Sequence, residues 1–170
     1  MKTQEGNVVL RTVVKAVAVA ASALVLCAAP AFALNFYETK QLAMDGVADA
    51  QYNLGHMYEV GQGVEANLEE AVQWYRKAAE QGNARAEIRL GLMHLNGEGV
   101  EKDAVKAAEY LTKAAEKGYA EAQYNLGLLY MKGEGVAQDM ALAKELFRKA
   151  AMQKHEKAKE LYFKLRKDGY

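Results

Sequence analysis

The six residues AQYNLG occupy positions 50–55 and return unchanged at positions 122–127. Midway between them, positions 86–91 carry the related stretch AEIRLG. The chain is therefore organised on a period of 36 residues. A period of this length predicts a repeat architecture, in which each repeat is one supersecondary unit that stacks on the next.

The alanine, leucine and glycine of this stretch fall on one side of an α-helix, because positions i, i+4 and i+5 share a face. We predict helices over 48–60, 84–96 and 120–132 and call them the A helices. A glycine inside a helix costs roughly 0.5–1 kcal/mol relative to alanine. Its return at one position of all three helices, as Gly55, Gly91 and Gly127, indicates the close approach of a neighbouring helix.

A Gly-x-Gly-Val motif follows each A helix, at 61–64, 97–100 and 133–136. The first glycine can adopt the left-handed conformation that ends a helix, and the valine is predicted to pack beneath the turn. A phosphate-binding loop would need a preceding strand and a third glycine, and the sequence has neither.

A second set of helices, the B helices, is predicted over 68–81, 104–117 and 140–153. Short polar residues that can cap a helix precede them, namely Asn67, Asp103 and Asp139. Glu70 follows Asn67 by three residues and resembles a capping box. Gly82 and Gly118 are expected to end the first two B helices, and Lys154 stands at that position in the third.

The repeated residues resemble the Sel-one-like repeat (SLR) family, a relative of the tetratricopeptide repeats. The first copy matches most fully, and the residues that carry the match are Ala50, Leu54, Gly55, Tyr58, Gly61, Gly63, Val64, Ala71, Trp74, Tyr75, Ala78, Ala79 and Gly82. The resemblance covers about residues 36–165. It implies an all-α fold, an α-solenoid in which antiparallel helix pairs form a right-handed superhelix. It also implies a scaffold or adaptor that holds other proteins or peptides.

Residues 1–33 resemble a cleaved secretory signal, with basic residues, an apolar run from Ala16 and the small residues Ala31-Phe32-Ala33 at its end. Cleavage is expected after Ala33, which predicts a periplasmic or secreted protein. A membrane anchor is the alternative, because 16–34 is about long enough to span a bilayer. The run is mostly alanine, however, which favours the signal. Cys27 follows the bulky Leu26, which argues against lipidation.

One domain is expected over 34–170. It divides into a partial repeat at 36–47, repeats at 48–83, 84–119 and 120–155, and a capping helix within 156–170, its helical part at about 156–167. Residues 34–170 carry 19 basic and 21 acidic side chains, a net charge of −2. This balance argues against nucleic acid as a partner, and no membrane insertion is expected after cleavage. The oligomeric state stays open.

A hydrolase of the bacterial envelope is the alternative to a scaffold, since cysteine-rich relatives of the family are linked to β-lactam binding or hydrolysis. Residues 34–170 contain neither serine nor cysteine as a nucleophile. The three histidines lack metal-binding spacing such as H-E-x-x-H, and His94 occupies a tyrosine position of the repeat, where we expect a structural role. We therefore predict no catalytic residue, no cofactor and no metal site.

The side of the A helices away from their packing positions is predicted to line the concave surface and to bind a partner protein or peptide. The predicted contact residues are Tyr52, His56, Glu59, Arg85, Ile88, Arg89, Leu92, Leu95, Tyr124, Leu128 and Met131. An exposed stripe that is apolar in its middle, with aromatic residues and arginine, suits a protein interface. The alternative is that superhelix closure or helix packing buries part of the stripe.

Arg85 and Arg89 stand four residues apart, so together they could hold a carboxylate. The alternative is ion pairing with Glu87, with Glu121 or with a neighbouring helix. A third interpretation of the whole sequence is a regulator that is inert until a larger complex assembles, or a specificity protein for secretion machinery; the sequence does not separate it from the scaffold.

Overall fold

The computed structural model describes residues 31–170, which form eight α-helices and no strand. In chain order these are α1 (Ala31–Met44), α2 (Ala48–Val60), α3 (Leu68–Glu80), α4 (Ala84–Asn96), α5 (Ala104–Glu116), α6 (Ala120–Lys132), α7 (Met140–Met152) and α8 (Glu156–Lys167). The A helices are α2, α4 and α6, with the predicted bounds. The B helices are α3, α5 and α7, each one residue shorter than predicted. Consecutive helices pack on each other, and the all-α solenoid is confirmed.

Helix α1 begins at Ala31, five residues before the partial repeat that the period predicts at 36–47. The predicted signal lies outside the described residues except for its last three, so both its cleavage and its export function stay predictions. In the part of the chain that the structure describes, no helix combines the length and apolar character needed to cross a membrane.

The A helices end as the Gly-x-Gly-Val motif predicts. Gly61, Gly97 and Gly133 have φ values of 74°, 75° and 70° in the left-handed region. The valines of the motif are partly buried and pack against the apolar core, as predicted; they are Val64, Val100 and Val136. Each turn thus stops one helix and also contributes to the core.

The predicted caps of the B helices are present. The Asn67 side chain accepts a hydrogen bond from the Glu70 N–H at 2.9 Å, and Asp103 accepts one from the Lys106 N–H at 3.0 Å. The bond from Lys106 lowers the pKa of the Asp103 carboxyl. The predicted capping box is wrong, because the Asn67 N–H donates to the carbonyl of Tyr58 at 2.8 Å rather than to Glu70. The chain entering each B helix is therefore tied to the preceding A helix.

The glycine inside each A helix admits a bulky side chain from the B helix of the same repeat. A Cβ added at Gly55 would lie 2.8 Å from the ring of Tyr75, and one added at Gly91 would lie 2.7 Å from Leu111. At the third repeat a Cβ on Gly127 would lie 2.7 Å from the ring of Phe147. The predicted close approach is confirmed, and its structural role is to seat one large residue per repeat.

A partly buried polar contact joins the start of each A helix to the end of its B helix. Gln51 accepts a hydrogen bond from Gln81 at 2.7 Å, and Gln123 accepts one from Gln153 at 3.0 Å. In the second repeat the same positions hold a carboxylate and an ammonium group. Glu87 and Lys117 lie 2.6 Å apart, and Lys117 also donates to the carbonyl of Gly82 in the first repeat.

The apolar core runs along the whole described chain as four clusters, roughly one for each repeat junction. Fully buried members come from both helix sets, for example Leu54 and Leu90 of the A helices and Tyr75 and Phe147 of the B helices. The solenoid thus keeps its A helices in a row along one continuous core.

Candidate functional site

Glu59, Arg89 and Tyr75 form one network between the first and second repeats. The Tyr75 hydroxyl donates to a Glu59 carboxylate oxygen at 2.5 Å, and the other oxygen pairs with Arg89. Burial, and after it the neighbouring Tyr52, raises the pKa of Tyr75 well above its usual value, so the hydroxyl keeps its proton. The Glu59 side chain is only 13% exposed, so this pair is mainly an internal tie between α2 and α4.

Arg85 lies at the edge of the same junction and is much more open. Its guanidinium pairs with Asp49 at 2.9 Å, and the two side chains are 51% and 72% exposed. The guanidinium carbon also lies 4.5 Å from the centre of the Tyr52 ring. This geometry places a cation, a carboxylate and an aromatic face side by side at the surface.

The two arginines do not form a shared carboxylate site, because each pairs with a different acid of the preceding A helix. The structure instead shows the predicted alternative, in which each arginine forms an ion pair with a neighbouring helix. Glu87 takes no part, since it pairs with Lys117. A role in holding a carboxylate stays a prediction for Arg85 only, whose pair with Asp49 is open to solvent.

The apolar middle of the predicted stripe is partly internal. Ile88 is 4% exposed and belongs to a core cluster between the second and third repeats. Its assignment to the open surface is wrong, because packing of the next repeat covers this position. Leu92 and Leu95 are partly buried against the same cluster, so each keeps one side toward solvent.

At the third repeat, Tyr124 stacks on His155, with ring centres 4.5 Å apart and planes at 26°. Leu128 and Met131 lie on the same helix, partly buried against the C-terminal core cluster. These three predicted residues share one face of α6, and this face borders the start of α8, where His155 lies. His56, at the Leu128 position of the first repeat, is exposed.

We call the half-open face of the A helices the A-helix surface. Its members are Tyr52, His56, Arg85, Leu92, Leu95, Tyr124, Leu128 and Met131. The structure thus brings eight of the eleven predicted residues to one side. Glu59 and Arg89 form the tie described above, and Ile88 belongs to the core.

His94 has the structural role expected from its tyrosine position. It is 2% exposed and stacks on Tyr110 with ring centres 5.9 Å apart. Its Nδ1 lies 3.3 Å from the carbonyl oxygen of Glu101, which only accepts, so Nδ1 carries the proton and donates. Burial lowers the pKa of this imidazole.

The sequence interpretation missed the parts played by Tyr75 and His155. The repeat pattern gives Tyr75 no polar role, although its hydroxyl holds Glu59 in place. His155 caps α8 by accepting from the Ala158 N–H at 3.2 Å while it stacks on Tyr124. Its place before a helix, where Asn83 caps α4, was the signal that could have identified it. Among the described side chains, no three His, Cys, Asp or Glu residues are placed to hold a metal ion together.

The family assignment follows from the repeats. The Sel1 repeat model matches residues 48–83, 84–119 and 120–155, the same limits that the 36-residue period gives. The chain belongs to the Sel1 repeat family. Proteins of this family commonly serve as scaffolds that mediate protein–protein interaction.

Solved structures of Sel1 repeat proteins superpose well on the chain. A Sel1 repeat protein from Oxalobacter formigenes is 43% identical, with a TM-score of 0.71, covering 76% of this chain and 98% of that one. A protective antigen of uropathogenic Escherichia coli with an SLR fold is 37% identical, with a TM-score of 0.71, covering 79% of this chain and 33% of that one. Cysteine rich protein B of Helicobacter pylori is 26% identical, with a TM-score of 0.59, covering 73% and 94%.

Among curated proteins, the chitin synthase regulator SKT5 of Saccharomyces cerevisiae is 43% identical over 58 residues. The match covers 32% of this chain and 8% of the yeast protein. The chain therefore spans less than a tenth of the length of that relative.

Proposed function

We propose that this protein is a non-enzymatic scaffold of a bacterial envelope that binds a protein or peptide partner across the A-helix surface. The observation that carries the proposal is the row of half-buried apolar and aromatic side chains on successive A helices. Leu92 and Leu128 stand at matching places of the second and third repeats, and Tyr124 lies about one helical turn before Leu128. A surface that continues across repeats suits an extended or helical peptide.

The residues of this surface divide into anchors and an orienting group. Half-buried aromatic and leucine side chains are held by the core behind them, so little conformational entropy is lost when a partner covers them. Tyr124 is the strongest candidate anchor, because its ring is fixed by the stack on His155. Arg85 supports the proposal as an orienting group, since it is exposed and its Asp49 partner can exchange with a carboxylate of the ligand.

Localisation is tested by N-terminal sequencing of the protein recovered from the cell envelope. The proposal predicts that the sequence begins at Leu34. Recovery of soluble cytoplasmic protein that still begins at Met1 would contradict the envelope location.

Partner binding is tested by affinity capture from an envelope extract, followed by titration of the captured protein against variants. Leu128→Ala and Arg85→Ala should each weaken binding at least about threefold, and Tyr124→Ala about tenfold or more. Lys149→Ala, on the outer side of α7, is the matched control and should bind as the native protein does. Normal binding by the first three variants with loss in Lys149→Ala would assign the working surface to the B helices.

A further inference from the structure

The two ends of the described solenoid carry the two halves of a repeat. Helix α1 lies 36 residues before α3 and occupies a B position, whereas α8 lies 36 residues after α6 and occupies an A position. Within residues 31–170, no A helix of the same repeat covers α1 and no B helix of the same repeat covers α8.

The side of α1 that would face its missing A helix is open. In the first repeat, Ala71, Tyr75 and Ala78 of α3 occupy the corresponding places, and all three are 0% exposed. The equivalent residues of α1 are Asn35, Thr39 and Leu42. Asn35 is exposed, Thr39 is half-buried and Leu42 is 51% exposed.

Helix α8 is open in the same way on the side of its missing B helix. Phe163 stands at the position of the buried glycines of the A helices and is 52% exposed. Tyr162, at the position of the fully buried Leu54, is only partly covered. The sequence predicted a solvated capping helix here, yet an aromatic ring occupies the place where every complete repeat packs two helices together.

The open sides of α8 and α1 match in size. In each complete repeat a glycine of the A helix faces a bulky residue of the B helix, as Gly55 faces Tyr75. At the two ends of the solenoid, the A-helix position holds the large side chain and the B-helix position holds the small one. Phe163 fills the glycine position and Thr39 fills the bulky position, so the two helices together offer one large and one small residue.

The two positions of the polar contact of each repeat carry opposite charges at the two ends, where Lys159 lies 3.5 Å from Glu156 and Asp45 accepts from Gln41 at 3.3 Å. Its A-helix position, held by Gln51 or Glu87 in complete repeats, is Lys159 in α8, and its B-helix position, held by Gln81 or Lys117, is Asp45 after α1. Lys159 and Asp45 are both exposed. They would therefore form a pair of opposite charge, with the sign of Glu87 and Lys117 reversed.

The overall charge of the ends agrees with this match. Residues 31–83 carry 3 basic and 8 acidic side chains, a net of −5, whereas residues 120–170 carry 10 basic and 7 acidic ones, a net of +3. The acidic N-terminal part of one copy therefore attracts the basic C-terminal part of another copy. Two acidic parts, or two basic parts, repel each other.

We propose that copies of this chain join head to tail, with α8 of one copy and α1 of the next packing as the A and B helices of a shared repeat. Such a contact is heterologous, because the two surfaces differ, and it leaves a free α1 and a free α8 on every open assembly. The association then continues beyond the dimer, and the A-helix surfaces of successive copies lie in series.

Sedimentation velocity tests this proposal on protein that is expressed from residues 1–170 and purified with whatever N-terminal processing the cell carries out. At low salt the native protein should show a concentration-dependent series of dimer, trimer and larger species. Asp45→Lys and Lys159→Asp should each lower the association constant about tenfold or more, because each puts like charges together at the joint. Lys149→Asp changes the charge equally, away from the joint, and should associate as the native protein does.

The mixture of the two charge variants gives the decisive result. Every contact between an Asp45→Lys molecule and a Lys159→Asp molecule joins opposite charges, so an equimolar mixture should regain association that neither variant shows alone. Circular dichroism melting of each variant verifies that both remain folded. The proposal would be overturned if the native protein stayed monomeric at millimolar concentration or formed a dimer that grows no further. It would also be overturned if the mixture did not regain association.

Discussion

Glu87 and Lys117 form in the second repeat the contact that two glutamines form in the first and third. The Lys117 ammonium lies 2.6 Å from one Glu87 carboxylate oxygen and 2.7 Å from the other. The carboxylate side chain is 3% exposed, whereas the lysine side chain is 38% exposed. One position of the repeat thus accepts either a neutral or a charged pair, provided that both partners are of the same kind.

The free energy of unfolding should depend on whether both partners of this contact are charged or both are neutral. Lys117→Gln leaves the Glu87 carboxylate buried without its cation, and we expect a loss of roughly 1–3 kcal/mol, limited by the solvent that reaches the lysine side. The double variant Glu87→Gln, Lys117→Gln recreates the glutamine pair of the other repeats and should regain most of that loss. Urea unfolding of the native protein, of Lys117→Gln, of Glu87→Gln and of the double variant measures the coupling energy. Additive effects of the two substitutions would contradict a direct contact.

Gly91 tests the close packing inside a repeat. An added Cβ would lie 2.7 Å from the Leu111 side chain and 3.3 Å from the Ala107 carbonyl oxygen. Gly91→Ala should therefore lower the free energy of unfolding by roughly 1–3 kcal/mol, despite the better helix propensity of alanine. Ala substitution of Lys113, exposed on the outer side of α5, is the control and should change stability by less than about 0.5 kcal/mol. Equal effects at both positions would show that the helix register is wrong.

Lys154 adopts a left-handed backbone, with φ of 67°, where the equivalent residues Gly82 and Gly118 have φ of 80° and 91°. A side chain costs about 1 kcal/mol in this conformation, so Lys154→Gly should raise the free energy of unfolding by roughly 0.5–1 kcal/mol. The reciprocal change Gly118→Lys should lower it by a similar amount, because an added Cβ meets no atom within 4 Å and only the backbone is strained. Thermal denaturation distinguishes the two. A loss of stability in Lys154→Gly would indicate that the lysine side chain contributes more than its backbone costs.

His94 should make the stability dependent on pH. Burial lowers its pKa in the folded protein, so the unfolded chain binds the proton more readily, with a pKa of about 6.5. The stability that the neutral imidazole contributes is complete above that value and is lost as pH falls from it through the folded pKa. His94→Tyr, which restores the residue of the first and third repeats, should lose less stability between pH 7.5 and pH 5. Parallel urea titrations of both proteins measure the difference, and identical losses would contradict the assignment.

Much of the fold could be predicted from the sequence because its signals are local. The capping asparagine or aspartate before each B helix and the left-handed glycine after each A helix act within a few residues, so the starts of the B helices and the ends of the A helices followed from them. The seating of Leu111 on Gly91 was also predictable, since a glycine costs stability inside a helix unless a neighbour needs the space.

The candidate surface was harder to predict because it depends on how one repeat is set on the next. Ile88 was assigned to the surface because it shares a helical position with Tyr52 and Tyr124, but the third repeat covers it. Glu59 and Arg89 are 30 residues apart in the sequence, and they meet only because α4 stands next to α2 in the solenoid. A 36-residue period gives the order of the repeats but not the rotation between them, which decides such contacts.

The central claim, that a partner lies along the A-helix surface, is tested most directly by site-specific photo-crosslinking in the living cell. A photoreactive amino acid replaces Leu128 or Leu92 on the A-helix surface, and Lys149 or Lys113 on the outer side of the B helices. One partner protein should be crosslinked from both leucine positions and from neither lysine position. Crosslinks of that partner from the lysine positions alone would show that the outer face of the B helices is the binding surface.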